Sequence, residues 1–126
     1  MRGYIYLISF ENTNDIYIGK TIQDIKKRLY NHKTNTKSTV YKHIKTNNIK
    51  HIYIDIIDSI DMKENLSHLR EKIKYISNMN DYKLSCLEMF HIHNYKNEGK
   101  YNLINKAIQY ATPDFYSHYD EFFMKG

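Results

Sequence analysis

Apolar and polar side chains alternate in two short strings near the amino terminus, Gly3-Tyr4-Ile5-Tyr6 and Tyr17-Ile18-Gly19-Lys20. Alternation of this kind predicts strands, and the Asn12-Thr13-Asn14-Asp15 segment between them predicts a turn, so the two form a hairpin. Tyr6 and Tyr17 then stand on adjacent strands, where their phenols can converge on one face. The period changes after Thr21. Ile22, Ile25 and Leu29 recur at helical spacing, and Thr21 with Asp24 resembles a capping box, which predicts a helix over 22–33. Arg28 and His32, four apart on it, share a face beside the Ile25/Leu29 stripe. A polar turn at 34–39 leads to a short helix over 40–46, closed by Asn47-Asn48.

Residues 51–57 place isoleucines at alternate positions around Tyr53 and predict a third strand. Beyond Asp61 and Glu64, the spacing of Leu66, Leu69, Ile73 and Ile76 predicts an amphipathic helix, broken by Asn78-Met79-Asn80-Asp81. A further helix runs through Leu84, Leu87, Glu88 and Ile92 to about Tyr95 and stops at Asn97-Glu98-Gly99. Past Pro113 come Phe115, Tyr116, Tyr119, Phe122 and Phe123. Disordered tails rarely hold so many aromatics, so this segment is expected to dock on the domain or on a partner chain. The expected architecture is α+β: a small three-stranded, mainly antiparallel sheet, made of the hairpin plus the third strand and flanked by helices. The expected organisation is one domain over 1–105, with an inserted helix at about 61–80 and an aromatic tail over 106–126.

Composition narrows the function classes. A formal charge of +5 suits a polyanionic partner, although the excess is modest. Lysine, isoleucine, asparagine and tyrosine are abundant, which fits an AT-rich genome, and only Arg2, Arg28 and Arg70 are arginine. The single cysteine, Cys86, excludes an internal disulfide and a cysteine zinc cluster, and is expected to pack as a small apolar side chain. No apolar run approaches the roughly twenty residues of a membrane span, and no signal-peptide pattern opens the chain. The expectation is a soluble intracellular protein, cytoplasmic or, in a eukaryotic host, nuclear, with no membrane partner.

Tyr4-Ile5-Tyr6, Tyr17-Ile18-Gly19, then Arg28, His32, Glu88 and Asn102 appear in this order at spacings that resemble the GIY-YIG nuclease family. The resemblance covers residues 3 to about 105. It implies phosphodiester hydrolysis at a site built against a small sheet. One helix glutamate would hold a Mg²⁺ or Mn²⁺ ion, a helix arginine would meet the scissile phosphate, and the two motif tyrosines would act on the attacking water. By position, Glu88 is the implied metal ligand, favoured over Glu71, which lies too far upstream of Asn102. Arg28 supplies a permanently charged fork suited to phosphate oxygens. His32 corresponds to a family position that carries His or Tyr, and with an ordinary pKa near 6.5 it could accept or relay a proton. Tyr6 and Tyr17 both stand as candidates for orienting or deprotonating the water, and an unperturbed phenol near pKa 10 would need help from a cation. Lys20 is placed to give that help. Gly19 lets backbone approach closely, Lys27 joins Arg28 and Lys20 as a substrate-binding candidate, and Asn102 is expected to act as a hydrogen-bonding strut. No role is carried over to His43, and His91 and His93 are too close on a helix to share a metal well.

The resulting expectation is a metal-dependent DNA endonuclease, directed by DNA structure or of low sequence specificity, with homodimerisation or an accessory protein engaging the 115–123 segment. A virus, phage or mobile element would suit both composition and family. The competing expectations are a catalytically silent nucleic-acid-binding or protein-interaction module on the same fold and, more weakly, an RNA-directed nuclease.

Overall fold

The computed structural model describes residues 1–106 and 113–124. Strands β1 (Arg2–Phe10) and β2 (Asp15–Thr21) form the expected hairpin, followed by helices α1 (Ile25–Thr34) and α2 (Thr39–Asn47). Strand β3 (Ile52–Asp61), helix α3 (Met79–Glu98), the short strand β4 (Asn102–Leu103) and helix α4 (Pro113–Phe123) complete the order. The sheet has four strands in the order β3-β1-β2-β4. Its first three are antiparallel as expected, and β4 adds a parallel edge by pairing Asn102 and Leu103 with Asp15 and Ile16. Two residues are too few to carry a period, so β4 left no strand signal in the sequence.

Alternation sends the two faces of β1 to different layers. Tyr6, Ile8 and Phe10 pack with Val40 and Ile52 beneath α1 and α2. Ile5, with Ile16 and Ile18 of β2, packs against Leu84, Leu87 and Ile92 of α3. Strand β3 serves both layers through a bulge: Ile5 pairs with Asp58 but Tyr6 with Ile56, so Ile57 is the extra residue. The bulge reverses the parity of the strand. Ile52 therefore faces the α1/α2 layer, while Ile60 joins the α3 cluster. Asp58 also lands on the α3 side, where its carboxylate accepts from His91 Nε2 at 2.9 Å.

Helix α1 begins three residues later than its sequence implies. Thr21 Oγ1 accepts from Gln23 N instead of capping the helix, and Ile22 is left exposed. The expected helix across Leu66 to Ile76 does not form. Asn65 Oδ1 accepts from Ser67 N and turns the chain, only a single 3₁₀ turn at Ser67–Leu69 follows, and Tyr75 adopts a left-handed φ of 68° with its side chain in solvent. The helical spacing instead serves a compact loop: Leu66, Leu69 and Ile73 are buried with Met79, Cys86, Phe115 and Phe122 in a second core on α3. Helix α3 is capped at its start by Asn78, whose side chain accepts from Asp81 N, and at its end by Gly99 with φ 71°.

The aromatic segment docks on its own chain. Phe115 and Phe122 of α4 are 6 % and 9 % exposed, and Phe90 of α3 stacks on Tyr119 with ring centres 4.6 Å apart. The rest of the expected tail, 107–112 and 125–126, lies outside the described residues. Among the described residues no helix is long and apolar enough to cross a membrane. Phe115→Ala removes a buried ring and should lower the unfolding free energy by roughly 3–5 kcal/mol in urea titrations followed by circular dichroism. A loss below about 1 kcal/mol would show that α4 docking contributes little.

Candidate active site

Four side chains from three elements form a hydrogen-bonded row on the α1 side of the sheet. Arg28 Nε donates to Tyr6 Oη at 3.0 Å, Tyr6 Oη lies 2.7 Å from His32 Nε2, and His32 Nδ1 lies 2.8 Å from Ser38 Oγ. The one-turn spacing of Arg28 and His32 on α1 brings both to the same phenol, and Ser38 is the N-cap of α2, accepting from Val40 N. Proton counting selects one arrangement. Tyr6 is fully buried, and His32 Nε2 is the one acceptor its hydroxyl reaches among the described residues. Tyr6 therefore donates to Nε2, and the neutral imidazole donates from Nδ1 to Ser38. Burial pushes the Tyr6 phenol up to about 12, against the opposing pull of Arg28. Burial, together with the Arg28 charge, pushes His32 down to about 4. Both groups are thus uncharged at neutral pH.

Gly19 sits directly across from Tyr6 in the β1–β2 register. A Cβ there would overlap the Tyr6 phenol, so the motif glycine is required for space and not for backbone conformation.

Tyr17 is the motif phenol that reaches an open cleft. It is half-buried, its ring centre lies 5.3 Å from that of His32, and it lines a cleft of about 160 Å³ with Arg28, His32 and Lys37. Burial raises its pKa, the Glu88 charge adds to this, and Arg28 opposes it. Glu88 enters from α3. Burial lifts its half-buried carboxyl above the usual range, Lys20 and Arg28 pull it back, and its own charge helps to raise both motif phenols. No protein hydrogen bond reaches its carboxylate among the described residues.

The donor set can be compared with what a hard divalent ion requires. Among the described residues there is no cluster of three or more His, Cys, Asp or Glu side chains of the kind that encloses a metal. Mg²⁺ is commonly held by one or two carboxylates together with waters and substrate phosphate, and the open Glu88 carboxylate fits that share.

Lys20 takes a different place from the one expected. Its ammonium donates to Ser85 Oγ on α3 and bears on Glu88, and Arg28 is the cation that touches a motif phenol. Lys27 is exposed on the outer side of α1. Asn102 is a strut, but at the start of β2, where its Nδ2 donates to Asp15 Oδ1 at 2.9 Å and His43 Nε2 meets the other oxygen of that carboxylate at 2.9 Å. The strut beside Tyr17 is Asn105, absent from the sequence reading. Its side-chain amide grips both backbone groups of Ile18, accepting at 3.1 Å and donating at 2.7 Å. It thereby mimics a strand pair and holds β2 where β4 ends. Ser38 does carry a sequence signal, since a serine ahead of the Thr39-Val40 helix start is an N-cap residue.

Two outcomes follow from this row. Gly19→Ala should displace the Tyr6 ring from Arg28 and His32, costing about 1–3 kcal/mol of stability by calorimetry. His32 has a folded pKa of about 4, below the ordinary 6.5, so between those values the unfolded chain takes up a proton that the folded chain refuses. Its contribution is complete above pH 6.5 and is lost as pH falls toward 4, roughly 3 kcal/mol in all. Urea melts across pH 4–7 should show this slope in the wild type and a flatter one in His32→Gln.

Among known families, the GIY-YIG catalytic domain matches residues 2–63, just under half of the chain. No curated protein and no solved structure matches the chain at a significant level. The matched segment carries Tyr6, Tyr17, Gly19, Arg28 and His32, and ends before Glu88. Residues 2–63 are thus similar to the GIY-YIG catalytic domain, whose family is one of endonucleases.

Proposed function

We propose that this protein is a metal-dependent endonuclease that hydrolyses DNA phosphodiester bonds with little sequence preference of its own. The observation that carries the reading is the cleft lined by Arg28 and the half-buried Tyr17, together with the Glu88 carboxylate, whose charge acts on Tyr17 and is itself drawn down by Arg28 and Lys20. Glu88 would hold a Mg²⁺ or Mn²⁺ ion, which when bound supplies positive charge to the phosphoryl and leaving oxygens. Arg28 spends Nε on Tyr6 and keeps its terminal nitrogens for the phosphate. Tyr17 orients the attacking water. Its raised pKa keeps it a phenol at neutral pH, so it acts by hydrogen bonding and does not arrive as a phenolate. Tyr6, fully buried, is a positioning residue that sets Arg28 and His32. Lys20 steadies Glu88, and Asn105, with Asn102 further along, holds β2 in place. One such site cuts one strand, so a double-strand break takes two chains or two events.

The test is cleavage of supercoiled, linear, single-stranded and branched DNA in Mg²⁺, Mn²⁺ and EDTA. Glu88→Gln should lower the metal-dependent rate at least about 10²-fold while DNA affinity persists, and Arg28→Lys should cost on the order of 10²-fold, since an ammonium cannot both hold Tyr6 and fork onto phosphate. A wild type as inert as both variants, with equal DNA binding in all three, would overturn the enzyme reading in favour of a binding module.

A further inference from the structure

The charge of the chain is divided by position. Residues 25–54 hold eight basic side chains and no acidic one, whereas the rest of the chain holds eleven basic against fourteen acidic. The seven lysines of that block are exposed, and none is ion-paired among the described residues. All of this block except its last few residues builds α1, α2 and the links between and after them.

A groove crosses this cationic surface. The cleft at Tyr17, Arg28 and Lys37 shares one wall, Asn31, with a second cleft of about 430 Å³ lined by Gln23, Lys26, Lys27 and Tyr30. Helical spacing explains the continuity: going round α1 from Arg28, the next positions are Asn31, Lys27 and then Tyr30. The path is roughly 15 Å around a cylinder of helix diameter, room for a few nucleotides. At its far end Tyr30 is 65 % exposed, a bare aromatic ring set among lysines. Phosphates alone would need only the lysines. An aromatic face adds affinity only for a ligand with a free planar face, which an unpaired base has and a base inside a duplex lacks.

We infer that the groove over α1 takes an unpaired polynucleotide strand leading into the active site, with a base stacked on Tyr30. The assignment rests on the nuclease reading and narrows its substrate to nucleic acid with a single-stranded segment beside the scissile phosphate. Lys26 and Lys27 flank the stacked base with charge for its phosphates, and the Gln23 and Asn31 side chains, 3.4 Å apart in a hydrogen bond, offer amide groups to base edges.

Fluorescence anisotropy in EDTA tests this without any cleavage, using labelled oligo(dT), oligo(rU) and a duplex of equal length. The wild type should prefer an unpaired strand to the duplex. Tyr30→Ala should weaken strand binding about ten-fold and leave duplex binding unchanged, and Tyr30→Phe should bind as the wild type does. The tighter of the two single strands names the sugar, and dependence on Tyr30 with either supports the groove. Preference for duplex, or equal effects of Tyr30→Ala on strand and duplex, would overturn it. Metal-dependent cleavage by the wild type is read separately, so strand preference lost with cleavage intact overturns the groove alone, and failure of the groove and failure of the nuclease reading are separable. Because Tyr30 points into solvent, circular dichroism should show all variants folded.

Discussion

A phenol buried to its hydroxyl inside a protein makes demands on every neighbour, and the packing around Tyr6 follows from them. The ring needs space on the adjacent strand, which Gly19 provides by having no side chain. The hydroxyl needs a donor and an acceptor, because an unsatisfied polar group in the interior costs about 1–3 kcal/mol, and Arg28 and His32 provide them. His32 in turn needs a partner for its second nitrogen and finds it in the cap of α2. One buried oxygen thus fixes the height and rotation of α1 over the sheet and the start of α2. The motif residues are linked by this satisfaction of polar groups as much as by chemistry on a substrate.

The other half of the site depends on α3, which faces two ways. Leu84, Leu87 and Ile92 lie on the sheet, and Met79 and Cys86 lie in the second core beneath α4. Glu88 is therefore held on a helix clamped from both sides. Burial pushes the Cys86 thiol up to about 11, so this cysteine behaves as a small apolar side chain.

Local signals carried the elements whose period is their own. The hairpin, β3 and the Ile25/Leu29 stripe of α1 were legible because each buries one face against a layer. Leu66 to Ile76 misled because three- and four-residue spacing also describes a loop that tucks Leu66, Leu69 and Ile73 under another helix, and only the Asn65 turn and the backbone at Tyr75 tell the two apart. The doubled Ile56-Ile57 looked like an ordinary strand end, yet it marks the bulge that gives Asp58 to His91. Arg28, His32 and Glu88 stood out by their order along the chain. Asn105 did not, because its role is a reach of 87 positions back to the backbone of Ile18, which no neighbouring residue announces. The thirty-residue block 25–54 without an acidic side chain is written in the sequence, but a net charge of +5 averages it with the acidic remainder.

The bulge at Ile57 makes β3 a single rod shared by two layers, one bearing the guanidinium and the other the carboxylate. The placing of one layer relative to the other therefore runs through the backbone of this strand, which its ladder of hydrogen bonds to β1 holds in register. Repacking of either core alone leaves that shared backbone in place. Substitutions that enlarge or shrink side chains on one face would tilt a helix, whereas shifting both layers together would require remaking the strand itself.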